Sequence, residues 1–233
     1  MKVSIVIATC GRSMFADMLD SLCGSTNWTR GDIDLEVVIC VDGEHGARVV
    51  AESVKKHLDH LIGIVDYSYA KRGALNAWNT GLRLSEGDII VPAGDDQLFY
   101  GNWLDYALES HREKLGGYGV VGMNDLAYDG NTQLATMLLF DRQYCKDHMG
   151  GVIAPPVYKY YCVDSEWNAK AKSLGRFYWD ERAKIEHLHS SHGKRPVDDL
   201  DKEKMDAGWM EIDNKIFEER KEQGFPITWT PII

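Results

Sequence analysis

A chain of 233 residues, 44% hydrophobic and 27% charged, has an ordinary globular composition and enough length for one sizeable core. Its formal charge of −10 argues against a general nucleic-acid binder, which carries a basic face, but leaves room for a nucleotide whose phosphates a metal screens. Five scattered cysteines (Cys10, Cys23, Cys40, Cys145, Cys162) without a C-x-x-C pair form neither a disulfide framework nor a structural zinc site. With no apolar run of bilayer-spanning length and no signal-peptide pattern, they predict a soluble cytoplasmic protein, at most peripheral to a membrane.

Val3 to Ala8 (VSIVIA) is nearly continuous in β-branched residues, the mark of a strand covered on both faces. Thr9 to Ser13 is turn-like, and Met14 to Cys23 repeats apolar residues at helical spacing. Leu35 to Val41 is a second buried strand that stops at Asp42-Gly43, and Ala47 to Leu58 is an amphipathic helix. Leu61 to Tyr67 is a third strand, followed by Lys71-Arg72-Gly73 and a helix over Ala74 to Ser85. Ile89 to Val91 is the fourth, ending in Pro92-Ala93-Gly94, the acids Asp95 and Asp96, and an apolar run that enters a helix near Asn102.

Four alternations of strand and helix predict βαβ units and a parallel sheet flanked by helices, with ligands at the carboxyl ends of the strands. Thr9, Arg12, Asp42, Asp95 and Asp96 all fall at those ends. The adjacent pair Asp95–Asp96 reads either as a solvated turn capping the next helix or as ligands of a divalent cation that bridges to phosphate.

After Leu115 the pattern changes to a mixed or antiparallel part. Tyr118 to Met123 and Leu134 to Phe140 are strands around a polar turn at Asn124 to Thr132. Val163 to Leu174 is a helix opening with Asp164 and Glu166, and Arg176 to Trp179 a short strand. Glu186 to Lys194 (EHLHSSHGK) holds three of the eight histidines. Leu200 to Gln223 is one edge-packed helix with Met205, Trp209, Ile212, Ile216 and Phe217 on its apolar side. With no repeat or linker, residues 1–233 form one domain: a nucleotide half (1–115), an acceptor or catalytic half (116–195) and a C-terminal helical extension (196–233).

There is no G-x-G-x-x-G after the first strand and no G-K-[ST] loop, so a phosphate site would rely on a metal held by acids. The ordered stretches VSIVIATCGR, VVICVDG, KRGALNAWNTGLRLSEGDIIVPAGDDQ, VDSEWNAKAKSLGRFYWDE and EHLH, from Val3 to about Lys194, resemble the family 2 glycosyltransferases. The resemblance implies a GT-A fold and a transferase that moves a sugar from a UDP- or GDP-type donor to a carbohydrate or lipid-linked acceptor. It also implies a divalent metal, Mn2+ or Mg2+, and an inverting mechanism. Carried over by position, Thr9 and Arg12 lie beside the nucleotide, Asp42 meets the base, Lys71 or Arg72 faces the diphosphate or base, and Asn79 and Gly81 support the floor.

The family pattern at the metal turn is D-x-D followed by another acid. Ala93 stands at the first acid, leaving Asp95 and Asp96 as the second and third. Asp164 matches the family's general base, with Glu166 as second candidate, though both also suit an ordinary helix N-terminus. His187 matches a C-terminal histidine that joins the metal ligands; His189, two residues on, shares its face if the segment is a strand. Tyr158, Tyr160, Tyr161, Trp167 and Trp179 are either core residues or stacking surfaces for sugar rings. A sugar-phosphate nucleotidyltransferase, or a binding module of the same fold without chemistry, is the alternative.

Overall fold

Strands β1 (Lys2–Thr9), β2 (Asp34–Asp42), β3 (Gly63–Ser68) and β4 (Ile89–Gly94) are joined by helices α1 (Phe15–Ser25), α2 (Glu44–Val54) and α3 (Ala74–Leu84). This computed structural model describes residues 1–28, 31–57, 63–68, 73–126 and 134–230. Lys71, Arg72 and most of the Asn124–Thr132 turn lie outside the described residues. β5 (Gln97–Tyr100), α4 (Trp103–Leu115), β6 (Val120–Asn124), β7 (Met137–Asp141), α5 (Arg142–Met149), α6 (Val163–Ser173), β8 (Phe177–His187), α7 (Asp199–Asp206) and α8 (Trp209–Glu222) complete the order.

The eight strands form one mixed sheet in the order β3-β2-β1-β4-β7-β6-β8-β5. β1, β2, β3 and β4 run parallel, while β7 returns antiparallel against β4 and β6. Alternate residues sort to two faces, as the two-residue period of a strand requires. Ile5, Ile7, Ile39 and Val91 pack toward α1 and α4, whereas Val6 and Ile90 pack toward α3, α5 and α6. Gly81 lets α3 lie close to the sheet, since a Cβ there would sit 2.4 Å from Val6 Cγ1.

The run after Asp96 enters α4 at Trp103, as expected, and its first part, Gln97–Tyr100, is a strand on the sheet edge, paired antiparallel with β8. Two expectations change. The short strand expected at Arg176–Trp179 is the start of an eleven-residue strand that reaches His187. The C-terminal segment is two helices, broken at Gly208, which adopts φ +64°. Met205 and Ile212 are 68% and 42% exposed rather than packed, while Asp201, Lys204, Asp213 and Arg220 are buried. The segment docks through paired charges, with Ile216 and Phe217 supplying its apolar contact.

Candidate functional site

Register builds the site. Ala8 of β1 pairs with Gly94 of β4, and Thr9 with Val41 of β2. Asp42, the last residue of β2, and Asp95, the first beyond β4, therefore lie on either side of Thr9. Asp95 is 2% exposed and organises the loop after β1. Its Oδ2 accepts from Thr9 Oγ1 at 2.8 Å and from the backbone N–H groups of Cys10 and Arg12 at 3.3 and 3.4 Å. Its Oδ1 accepts from Arg12 Nη1 at 2.6 Å. Asp42 Oδ2 accepts from the backbone N–H of Gly73 at 2.9 Å, just before α3. Thr9, Arg12, Asp42 and Asp95 together line a cavity of about 320 Å³, whose far wall is Lys159, Tyr160, Leu200, Glu203 and Trp209.

Asp96 turns the other way, into a second cavity of about 310 Å³ that also holds Asp164, His187 and His189 among aromatic walls. Pairing of Gln97 with His187, and the Leu188 N–H donated to the Asp96 carbonyl at 2.8 Å, bring the end of β8 here from far along the chain. His187 Nε2 lies 3.7 Å from Asp96 Oδ1, and Arg12 Nη1 lies 3.8 Å from its Oδ2. Burial alone would raise the Asp96 carboxyl, but His187 and the charges of Arg12 and Arg195 hold it well below the usual carboxylate range.

Asp164, in the first turn of α6, accepts at Oδ1 from the Ser165 N–H at 2.8 Å, and burial pushes its carboxyl above the usual value. The residue before α6, Cys162, adopts φ +64°, an uncommon conformation for a non-glycine residue, at the rim of this cavity. His189 lies beyond the end of β8, so it does not share a strand face with His187, although their ring centroids are 5.1 Å apart. Its Nδ1 accepts from the Ser191 N–H at 3.2 Å, and burial beside His187 pushes the imidazole down to about 4.

Two expected site residues are elsewhere. Glu166 is fully buried on the other side of α6, accepting from Arg220 Nε and Nη2 at 2.8 and 2.7 Å and from Tyr158 OH at 2.6 Å. It is one half of a buried ion pair and has no access to an acceptor. Asn79 exchanges two hydrogen bonds with the backbone of Ala154, at 2.7 and 2.9 Å, and lines neither cavity. The Ala93 side chain is fully buried in the layer of Ile7 and Val91, opposite the face on which Pro92 and Gly94 line the second cavity. A carboxylate at 93 would enter that apolar layer.

Among the described residues no group of three His, Cys, Asp or Glu side chains is arranged to enclose a metal ion. Asp95 has its oxygens committed to Arg12 and to loop donors. Asp96 and His187, 3.7 Å apart, are a carboxylate and an imidazole, donor types that a divalent ion of the manganese type takes.

The sequence reading passed over the C-terminal residues that reach the site. Asp198 accepts from Arg12 Nε at 2.8 Å, Arg195 donates to Asp201 at 2.6 and 3.0 Å, and Lys204 Nζ lies 3.6 Å from the Tyr160 ring centroid. Asp213 accepts from the backbone N–H groups of Lys159, Tyr160 and Tyr161, fixing the loop that walls both cavities. The D-x-x-D spacing of Asp198 and Asp201 is a capping signal, and it was the one trace of this arrangement in the sequence.

The profile described as Glycosyl transferase family 2 matches residues 4–197. No protein of curated function matches the chain in sequence. Among solved structures, the mannosyltransferase PcManGT from Pyrobaculum calidifontis, in complex with GDP-Man and Mn2+, is similar at TM-score 0.62 and 19% identity, over 79% of this chain and 56% of that one. TarS 1-349 of S. aureus is similar in complex with UDP (TM-score 0.62, 16% identity, 79% and 59% covered) and with UDP-GlcNAc (0.61, 16%, 79% and 57%). At these identities the likeness is one of fold, the GT-A architecture. The chain spans less than two thirds of the length of each of these chains.

Proposed function

This chain belongs to glycosyl transferase family 2, and on that premise we propose that it moves a sugar from a UDP- or GDP-type donor to a hydroxyl of a carbohydrate or lipid-linked acceptor. The observation that carries the reading is the double cleft. One cavity holds Thr9 and Asp42, the other holds Asp96, Asp164 and His187, and Arg12, Asp95 and Tyr160 are common to both walls. The first suits a nucleoside diphosphate, with Asp42 accepting from a base N–H and Arg12 beside the phosphates. The second suits an acceptor, since the part-exposed Trp78 and Tyr160 offer apolar faces to a sugar ring.

In this reading Asp164 takes the proton of the acceptor hydroxyl as its oxygen bonds to the anomeric carbon. The bond from that carbon to the diphosphate oxygen breaks, and its electron pair leaves with the diphosphate. A single base opposite the leaving group suits in-line displacement with inversion. Asp96 and His187 would hold the divalent ion, which when bound offsets negative charge on the departing diphosphate. The ligands of the neighbouring structures, the nucleotide sugars GDP-Man and UDP-GlcNAc and the nucleotide UDP, support a donor of this class.

The test is calorimetry with UDP and GDP, with and without manganese, followed by hydrolysis and transfer measurements across a nucleotide-sugar panel. Binding of one nucleoside diphosphate and turnover of one of its sugars is the expected result. Binding without turnover on any acceptor would leave a binding module, and no binding would remove the donor assignment.

A further inference from the structure

We propose that Asp198, just before α7, is a positioning residue for donor binding. It fixes the guanidinium of Arg12 so that the remaining edge of that group meets the donor diphosphate, and it thereby ties the seating of α7 on the cavity to phosphate recognition. The proposal rests on the nucleoside-diphosphate reading above.

A guanidinium is a rigid plane with five N–H donors, so fixing two of its nitrogens fixes the third. Arg12 Nε donates to Asp198 Oδ2 at 2.8 Å, and Nη1 donates to Asp95 Oδ1 at 2.6 Å from the opposite side. Nη2 is buried and has no hydrogen-bond partner among the described residues. A charged donor left without an acceptor inside a protein is costly, and the neighbouring carboxylates are already engaged on the other two nitrogens. An anionic oxygen arriving in the adjoining cavity is the acceptor this edge lacks.

The two oxygens of Asp198 divide their work. Oδ1 accepts from the Asp201 N–H at 2.8 Å and caps α7, while Oδ2 accepts from Arg12 and, at 3.2 Å, from Arg195 Nη1. Capping alone needs no charge, because serine or asparagine caps a helix as well. The same short helix supplies Leu200 and Glu203 to the first cavity, and its Lys204 covers the ring of Tyr160, which walls both cavities. Releasing Arg12 from Asp198 would let the guanidinium fall onto Asp95 and Asp96 and would loosen α7 from the donor side.

Asp198→Ser keeps the cap and removes the hold on Arg12, and Asp198→Asn does the same at constant volume. Wild type and both variants are titrated with UDP and GDP by calorimetry and with uridine and guanosine by NMR. The expected result is a loss of about tenfold or more in diphosphate affinity with nucleoside affinity changed less than about twofold. Amide exchange over Asp199–Asp206 should slow on diphosphate binding in the wild type and not in the variants. Diphosphate affinity unchanged in both variants, or equal losses for diphosphate and nucleoside, would overturn the proposal and leave Asp198 a helix cap. A wild type that binds neither diphosphate would instead remove the donor reading, and the proposal with it.

Discussion

Asp164 and Glu166 sit two residues apart on α6, about 200° around its axis, and that rotation separates a cavity from a core. The Asp164 carboxyl is raised by burial at the cavity wall, whereas Glu166 faces Arg220 and Tyr158 inside the protein. Asp164→Asn keeps the shape and removes the proton acceptor, so transfer should fall by about 10²-fold or more while nucleoside-diphosphate affinity holds. Steady-state rates alongside calorimetry decide this, and a parallel loss of binding would make Asp164 a structural acid. Glu166→Gln should do the opposite. It leaves the Arg220 charge uncompensated in the interior and should cost about 3 kcal/mol in urea unfolding. Asp96→Ala should abolish manganese-dependent donor turnover, read from a metal titration of the rate. Turnover that keeps its manganese dependence would move the ion elsewhere.

At the scale of elements, the first four strands were legible because β-branched runs such as VSIVIA and LEVVICV leave little alternative to a doubly covered strand. The acids at their exits followed from topology. β5 was not legible: four residues, QLFY, make an edge strand only because β8 pairs with them from about ninety positions away. The C-terminal helices misled for a different reason. Hydrophobic periodicity marks the buried face of a helix only when burial is apolar, and here Asp201, Lys204, Asp213 and Arg220 are inside and Met205 outside. Glycines are where an element argument becomes a measurement. Gly81→Ala places a methyl 2.4 Å from Val6 Cγ1 and 3.1 Å from Cys40 Sγ, both in the packed layer between α3 and the sheet. The substitution improves helix propensity yet should destabilise the protein by about 2 kcal/mol, because overpacking outweighs propensity. An unchanged or raised urea midpoint would mean that α3 can move off the sheet freely.

For the whole molecule, the formal charge of −10 hides how many carboxylates are built into the fold. Burial alone would raise Glu36, Asp141, Asp180 and Asp201, but in each case hydrogen bonds and neighbouring cations hold the carboxyl below its ordinary value. Glu36 accepts from Ser4 Oγ and from the Gly87 N–H, and Lys2 Nζ lies 3.0 Å away. Asp141 accepts from the N–H groups of Gly119 and Tyr144 at 2.7 and 2.6 Å and caps α5. A carboxyl whose folded pKa lies below its unfolded value, about 4, contributes stability that is fully present above that value and is lost as pH falls through the folded one. Asp164, raised by burial, works in the opposite sense and is relieved by protonation. His189, pushed down to about 4, and His148, also lowered by burial, stay neutral in the fold while the imidazoles of the unfolded chain take up protons, so they contribute stability that is lost as pH falls below their ordinary value of about 6.5. The lowered carboxylates and imidazoles outweigh Asp164, so the urea midpoint should begin to fall below about pH 6.5 and drop further toward pH 3. Glu36→Gln isolates one contribution. The variant should be less stable than wild type at pH 7, and the two curves should converge in acid, where the wild-type carboxyl is itself protonated. Curves that stay parallel over that range would mean that Glu36 stabilises the sheet by its shape and hydrogen bonds, with no contribution from its charge.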